Sequence, residues 1–165
     1  MPRQNVLKYK IGVIGSINRD TIYQVDGNKI ESWGGALYNL AYMNKNNALK
    51  IYPVANIGRD SYKQIIKIVQ SMKNISTEHL KKVSEPNNHC FLHYHNQSHK
   101  CEILKGGVPQ IKYNQVKPLL DCDAILVNFI SGRDIKLPAL EKLRANYTGM
   151  IYMDIHSLWS FLPIN

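Results

Sequence analysis

The stretch "SWGGALYNLAYMNK", residues 32–45, sets two adjacent glycines, Gly34 and Gly35, directly before a helical pattern in which Leu37, Leu40 and Ala41 recur at i, i+3 and i+4. Glycine is the residue that tolerates positive φ and close backbone approach, and the first N–H groups of a helix are unpaired donors. A glycine pair at a helix start therefore suits a place where backbone meets a ligand's hydroxyls or phosphates. Asn39 lies four residues beyond Gly35, on the same helix face, and its amide both donates and accepts. The same letters also fit a plain turn followed by a surface asparagine.

Working outward, "KIGVIGSI" (10–17) is a short β-branched run suited to a strand buried on both faces. "DTIYQVDGNKIES" (20–32) alternates around Asp26, Gly27 and Asn28, and the Asp-Gly pair signals a hairpin. Downstream, "LKIYPVANIG" (49–58) predicts a buried strand interrupted by Pro53. In "DSYKQIIKIVQSM" (60–72), Tyr62, Ile65, Ile66, Val69 and Met72 share one helical face. The resulting β-α-β-α order is that of a parallel sheet. Asp60 is expected to cap that second helix.

The order breaks at "NHCFLHYHNQSHKCEIL" (88–104), which reads as a second antiparallel ribbon. With Asn96 paired to His99, Leu92 faces Ile103 and Tyr94 faces Cys101 on one side, and His93 faces Glu102 and His95 faces Lys100 on the other. The two ribbons, approximately 20–32 and 88–105, are expected to form a small sheet projecting from the main one. "CDAILVNFISG" and "GMIYMDIH" restore the buried-strand theme around the helix "LPALEKLRANY". The chain ends on the apolar "SLWSFLPIN" (157–165), which is expected to fold back or to be covered by more protein.

Length and composition limit the function. The 165 residues, 44% of them hydrophobic, suffice for one domain with a real core, and no run approaches the ~18 apolar residues of a membrane span. The N-terminus lacks the apolar core of a signal peptide, so a cytoplasmic location is expected. Cys90, Cys101 and Cys122 are odd in number and have no C-x-x-C spacing, which points to reduced thiols. The net charge of +9 is spread along the chain, which speaks for solvated surface and against a nucleic-acid partner. His89, His93, His95 and His99 meet no metal-site spacing, and no metal is expected there. "GVIGS" lacks the full dinucleotide fingerprint, and no phosphate-binding G-x-x-x-x-G-K-[ST] occurs. Asp20, after the first strand, stands where open α/β sheets bind ligands, and its carboxylate suits a sugar diol.

Taken together, "GSINRD" (15–20), "GGALYNLA" (34–41), "NIGRD" (56–60), the two ribbons, "AILVNFISG" and "IYMDIH" resemble the N-terminal half of the ribokinase-like sugar and nucleoside kinases, the phosphofructokinase B family. The resemblance implies an α/β fold: a Rossmann-type three-layer sandwich with a mainly parallel central sheet and a β-ribbon lid, here one partial domain over 1–165, truncated on the C-terminal side. It implies that Asp20, Gly34, Gly35 and Asn39 hold sugar hydroxyls, with Tyr23, His93 and His95 as lid contacts. ATP and Mg2+ are implied as cofactors, bound beyond residue 165, where relatives carry the G-A-G-D aspartate that acts as general base. No catalytic residue is expected in this chain, which is expected to be inactive alone. A homodimer through the lid or the apolar tail is also implied. A stand-alone, non-catalytic sugar-binding or regulatory module is the rival reading.

Overall fold

The computed structural model describes residues 9–96 and 98–155. Its elements run β1 (Tyr9–Gly15), β2 (Ile17–Tyr23), β3 (Lys29–Gly35), α1 (Ala36–Met43), β4 (Leu49–Ile57), α2 (Tyr62–Gln70), β5 (Leu80–Lys82), β6 (His89–Tyr94), β7 (Lys100–Lys105), α3 (Tyr113–Val116), β8 (Ala124–Phe129), α4 (Leu137–Asn146) and β9 (Met150–Ile155). A 3-10 turn, Lys117–Asp121, continues α3. The apolar stretch 157–165 lies outside the described residues.

The main sheet has the order β5-β4-β1-β8-β9, every pair parallel. Its central strands are mostly apolar because both faces are covered. On one face Val13, Ile51, Ala55 and Ile57 pack with Leu37 and Leu40 of α1 and Ile65 and Val69 of α2. On the other, Ile14, Val54, Ile125 and Val127 pack with Val116, Leu119, Ala139 and Leu143 from α3, its 3-10 extension and α4. The result is the three-layer α/β sandwich. Ala41, expected on the buried face of α1, is exposed; Ala36 takes the inward place instead.

Pro53 does not interrupt β4, which runs unbroken through it with Pro53 opposite Val13 of β1. In a parallel strand the backbone groups alternate between the two neighbours. Ile51 bonds outward, from its N–H to Asn74 O and from its O to Ser76 N, and Ile57 O accepts from Val83 N. Pro53 has the same parity, so its missing donor falls in the unpaired gap between the Ile51–Ile75 bridge and β5.

The second sheet has the order β3-β2-β6-β7, with β2–β3 and β6–β7 antiparallel and β2–β6 parallel. The first ribbon turns at Gly27, φ 84°, as its Asp-Gly pair signals. The second is shifted by one residue from the expected pairing: His95 N–H donates to His99 O, His93 faces Cys101, Leu92 faces Glu102 and Tyr94 faces Lys100. Asn96 causes the shift, because its Oδ1 accepts the N–H groups of both Ser98 and His99 and so holds a wider loop. A one-residue shift exchanges the faces of one strand relative to its partner. Glu102 and Lys100 therefore join Leu92 and Tyr94.

Asn87 ties the two sheets together. Its Oδ1 accepts from Gly58 N at the end of β4, and its Nδ2 donates to Ile17 O at the start of β2, both at 2.9 Å. Asp60 serves this joint by accepting from Asn87 N at 2.8 Å; the residue preceding α2 is Ser61, so the expected helix cap at Asp60 is not made.

Candidate functional site

Chain order reverses between β1 and β8: successive crossovers place β4 on one side of β1 and β8 on the other. Such a switch point leaves a crevice at the carboxyl ends of the strands. A cavity of about 540 Å³ lies there, roofed by the second sheet and lined by Asn18, Asp20, Gly35, Tyr38, Asn39, Cys90, Leu92, Lys100, Glu102, Asn128, Ile130 and Asp154.

The glycine pair is explained by what presses on it. Gly35 turns the chain from β3 into α1 at φ 63°, and a Cβ there would stand 2.2 Å from Ser16 O, the atom that accepts the N–H of Ala36. A Cβ on Gly34 would stand 2.0 Å from Asp20 Oδ2. Gly35 thus makes the corner, and Gly34 leaves the space in which the Asp20 carboxylate lies.

Asp20, Gly35 and Asn39 share the cavity wall, with Gly34 beneath Asp20. The ribbon pairing decides the rest. Asp20 stands opposite Cys90, so Cys90, Leu92, Lys100 and Glu102 face inward. Tyr23 stands opposite His93, and their rings stack at 4.4 Å on the sheet's other face, away from the cavity. His95 lies past the end of β6 and is exposed. Thr21, His89 and Phe91 complete that outer face: Thr21 Oγ1 and His89 Nε2 lie 2.7 Å apart, and the His89 and Phe91 rings stack at 4.0 Å.

Among the polar residues of the cavity wall, Asn18, Tyr38, Lys100, Glu102, Asn128 and Asp154 are not site residues that the sequence singles out. Two left a trace. Asn18 is two residues from Asp20, hence on the same strand face, and Asn128 is a lone amide in the apolar run "AILVNF". Lys100 and Glu102 were hidden by the ribbon register.

The wall is rich in acceptors. The Oδ1 atoms of Asn18, Asn39 and Asn128 are buried and without a hydrogen-bond partner, although the residues of Asn18 and Asn128 are only 1% and 2% exposed. Buried amides left open in this way are costly unless a ligand or water completes them. Burial, and secondarily the Glu102 charge, lift the Asp20 carboxyl from the ordinary 3.8 to about 6. Lys100 Nζ lies 2.5 Å from Glu102 Oε1, a bond that raises the lysine's pKa. Burial, then the charges of Asp20 and Glu102, push the Cys90 thiol up to about 12, so it remains protonated and is no nucleophile.

A nucleotide triphosphate does not fit this wall. Among the described residues its one basic side chain, Lys100, is already paired with Glu102. Among the described residues no three His, Cys, Asp or Glu side chains converge to hold a metal ion, and no helix is long and apolar enough to cross a membrane.

Comparison with protein-family models and with curated proteins finds no match. Solved structures do match. Ribokinase from Cryptococcus neoformans, in complex with ADP, superposes with a TM-score of 0.70 at 15% identity, over 93% of this chain and 51% of that one. Ribokinase from Giardia lamblia gives 0.68 at 14% identity, covering 94% and 53%. The Burkholderia thailandensis nucleoside kinase in complex with inosine gives 0.66 at 12% identity, covering 87% and 51%. The chain spans about half the length of the solved chains it matches, and over that span it has the ribokinase-like fold of sugar and nucleoside kinases.

Proposed function

We propose that this chain is the substrate-binding and lid half of an ATP-dependent kinase acting on a hydroxyl of a sugar or nucleoside. The observation that carries the reading is the convergence of three asparagine side chains, each with an unpartnered buried Oδ1, and the Asp20 carboxylate on one cavity at the sheet's switch point. A polyhydroxyl ligand offers donors and acceptors to match these amides and the carboxylate. Asp20, Asn18, Asn39 and Asn128 would hold hydroxyls, Gly35 would let the backbone approach, and the second sheet would close over the ligand and exclude water. ATP and Mg2+ would be held by residues outside this chain, together with the general base that phosphoryl transfer to a hydroxyl requires. On this reading the chain alone binds substrate and transfers no phosphate.

The cavity wall is supplied by the chain itself, which also favours the second reading, a non-catalytic sugar- or nucleoside-binding module. At the outer end of the same lid face, exposed Val25 and Ile30 and half-buried Ile22 and Tyr94 line a hollow of about 550 Å³, a surface suited to a homodimer contact.

Calorimetric titration with ribose, fructose, adenosine and inosine tests both readings. At least one should bind, and Asn39→Ala should weaken that binding about tenfold while leaving the circular dichroism spectrum unchanged. Binding by none, or an unchanged affinity in the variant, would remove the site. Phosphorylation of the bound compound by the chain with ATP alone would overturn the division of labour.

A further inference from the structure

Resting on the reading of this cavity as a sugar or nucleoside site, we infer that it selects its ligand by charge, taking a polyhydroxyl compound that is neutral or bears an amino group and rejecting one that carries a carboxylate or phosphate. The chain as a whole is strongly basic, at +9, yet its cavity is acidic. Among the described residues, Asp20 from β2 and Glu102 from β7 line it beside one cation, Lys100. That cation is engaged, with its Nζ 2.5 Å from Glu102 Oε1. The elements that complete the wall, α1, β6 and β8, contribute Tyr38, Asn39, Cys90, Leu92 and Asn128, none of them positive.

Asn128 is tied to the same wall, its Nδ2 donating to Asp154 Oδ2 at 3.3 Å. Ionised, the carboxylates of Asp20 and Glu102 only accept hydrogen bonds. A hydroxyl or an ammonium satisfies an acceptor; a phosphate or carboxylate presents only further acceptors and adds like charge beside Asp20 and Glu102. An amino group would gain from the same pair. The proximity of Glu102 already opposes ionisation of Asp20, so a second anion would meet a wall that resists its first.

The test is calorimetry at neutral pH with matched sets: glucose, glucosamine and glucuronate; ribose and ribose phosphate; adenosine and adenosine monophosphate. In whichever set binds, the anionic member should be at least about tenfold weaker than its neutral parent. Glu102→Gln should narrow that gap and Lys100→Gln should widen it, whereas side chains that only support the fold would shift all ligands alike. An anion bound as tightly as its parent, or both variants moving the gap in one direction, would overturn the charge selection and leave the sugar site standing. Binding of no member of any set would overturn the site, and this inference with it.

Discussion

In the main sheet, β1, β4 and β8 are buried between two helical layers, with Val13, Ile14, Val54, Ile57 and Val127 wholly inaccessible; in the second sheet, no residue of β6 or β7 is buried. The first is a stack of apolar strands that hold one another, and the second is a pleat whose alternate residues do different work. Its inner row, Asp20, Cys90, Leu92 and Glu102, faces the cavity, and its outer row stacks Tyr23 on His93 and His89 on Phe91. Stability is therefore concentrated in one sheet, while the other contributes most of the polar cavity wall. A sheet with so little buried apolar surface opens at low cost, which suits the lid role proposed for it.

The sharpest way to break that contrast is to truncate equivalent aliphatic groups in the two regions. Leu40→Ala, in the core between α1 and the main sheet, should cost about 3 kcal/mol in urea denaturation, whereas Ile30→Ala, on the exposed lid ribbon, should cost under about 0.5 kcal/mol. Comparable losses would mean that the lid is part of the core. The joint comes next: Asn87→Ala strands Gly58 N and Ile17 O, both buried partners of its amide, and should cost about 2 kcal/mol. Hydrogen exchange should then speed up in β6 and β7 well before β1 and β8.

The smallest effect has a pH signature. The folded-state pKa of Asp20, raised to about 6, lies above its ordinary value, so folding favours the protonated form. The cost of holding it ionised is absent near pH 4, develops as pH rises towards 6, and is complete above it. After solvent screening, Asp20→Asn should stabilise the chain by about 1 kcal/mol at neutral pH and by nothing near pH 4. The same substitution should weaken ligand binding, and in the natural chain binding should fall as pH drops through about 6. A pH-independent difference would mean that burial does not strain this carboxylate.

The main sheet was legible because its strands are predominantly apolar runs and its corner is marked by Gly34 and Gly35. The lid ribbons were legible as ribbons, since alternation and the Asp-Gly pair declare them, yet the register of the second was not. Loop width depends on whether Asn96 folds its side chain onto Ser98 and Asn-Gln-Ser-His permits either outcome. That one choice hid Lys100 and Glu102, while Tyr23 and His93, expected at the ligand from the resemblance, are turned outward by the pairing of β2 with β6. Three-residue β5 and one-turn α3 are too short for periodicity to show them. Pro53 was read as a break because a sequence does not reveal which side of a strand lacks a neighbour.

That proline also bears on how the sheet meets other chains. An open strand edge is a template for intermolecular pairing, and sheets protect their rims with short strands, lysines and prolines. Here the β5 rim has all three: three residues, Lys81 and Lys82 among them, beside a gap that Pro53 leaves without a donor. Among the described residues β9 forms the opposite rim, six residues long, with Met150, Tyr152 and Ile155 exposed. The sheet is thus closed to growth on one side and receptive on the other, so that any β-strand adding to it, from the same polypeptide or another, should arrive at β9.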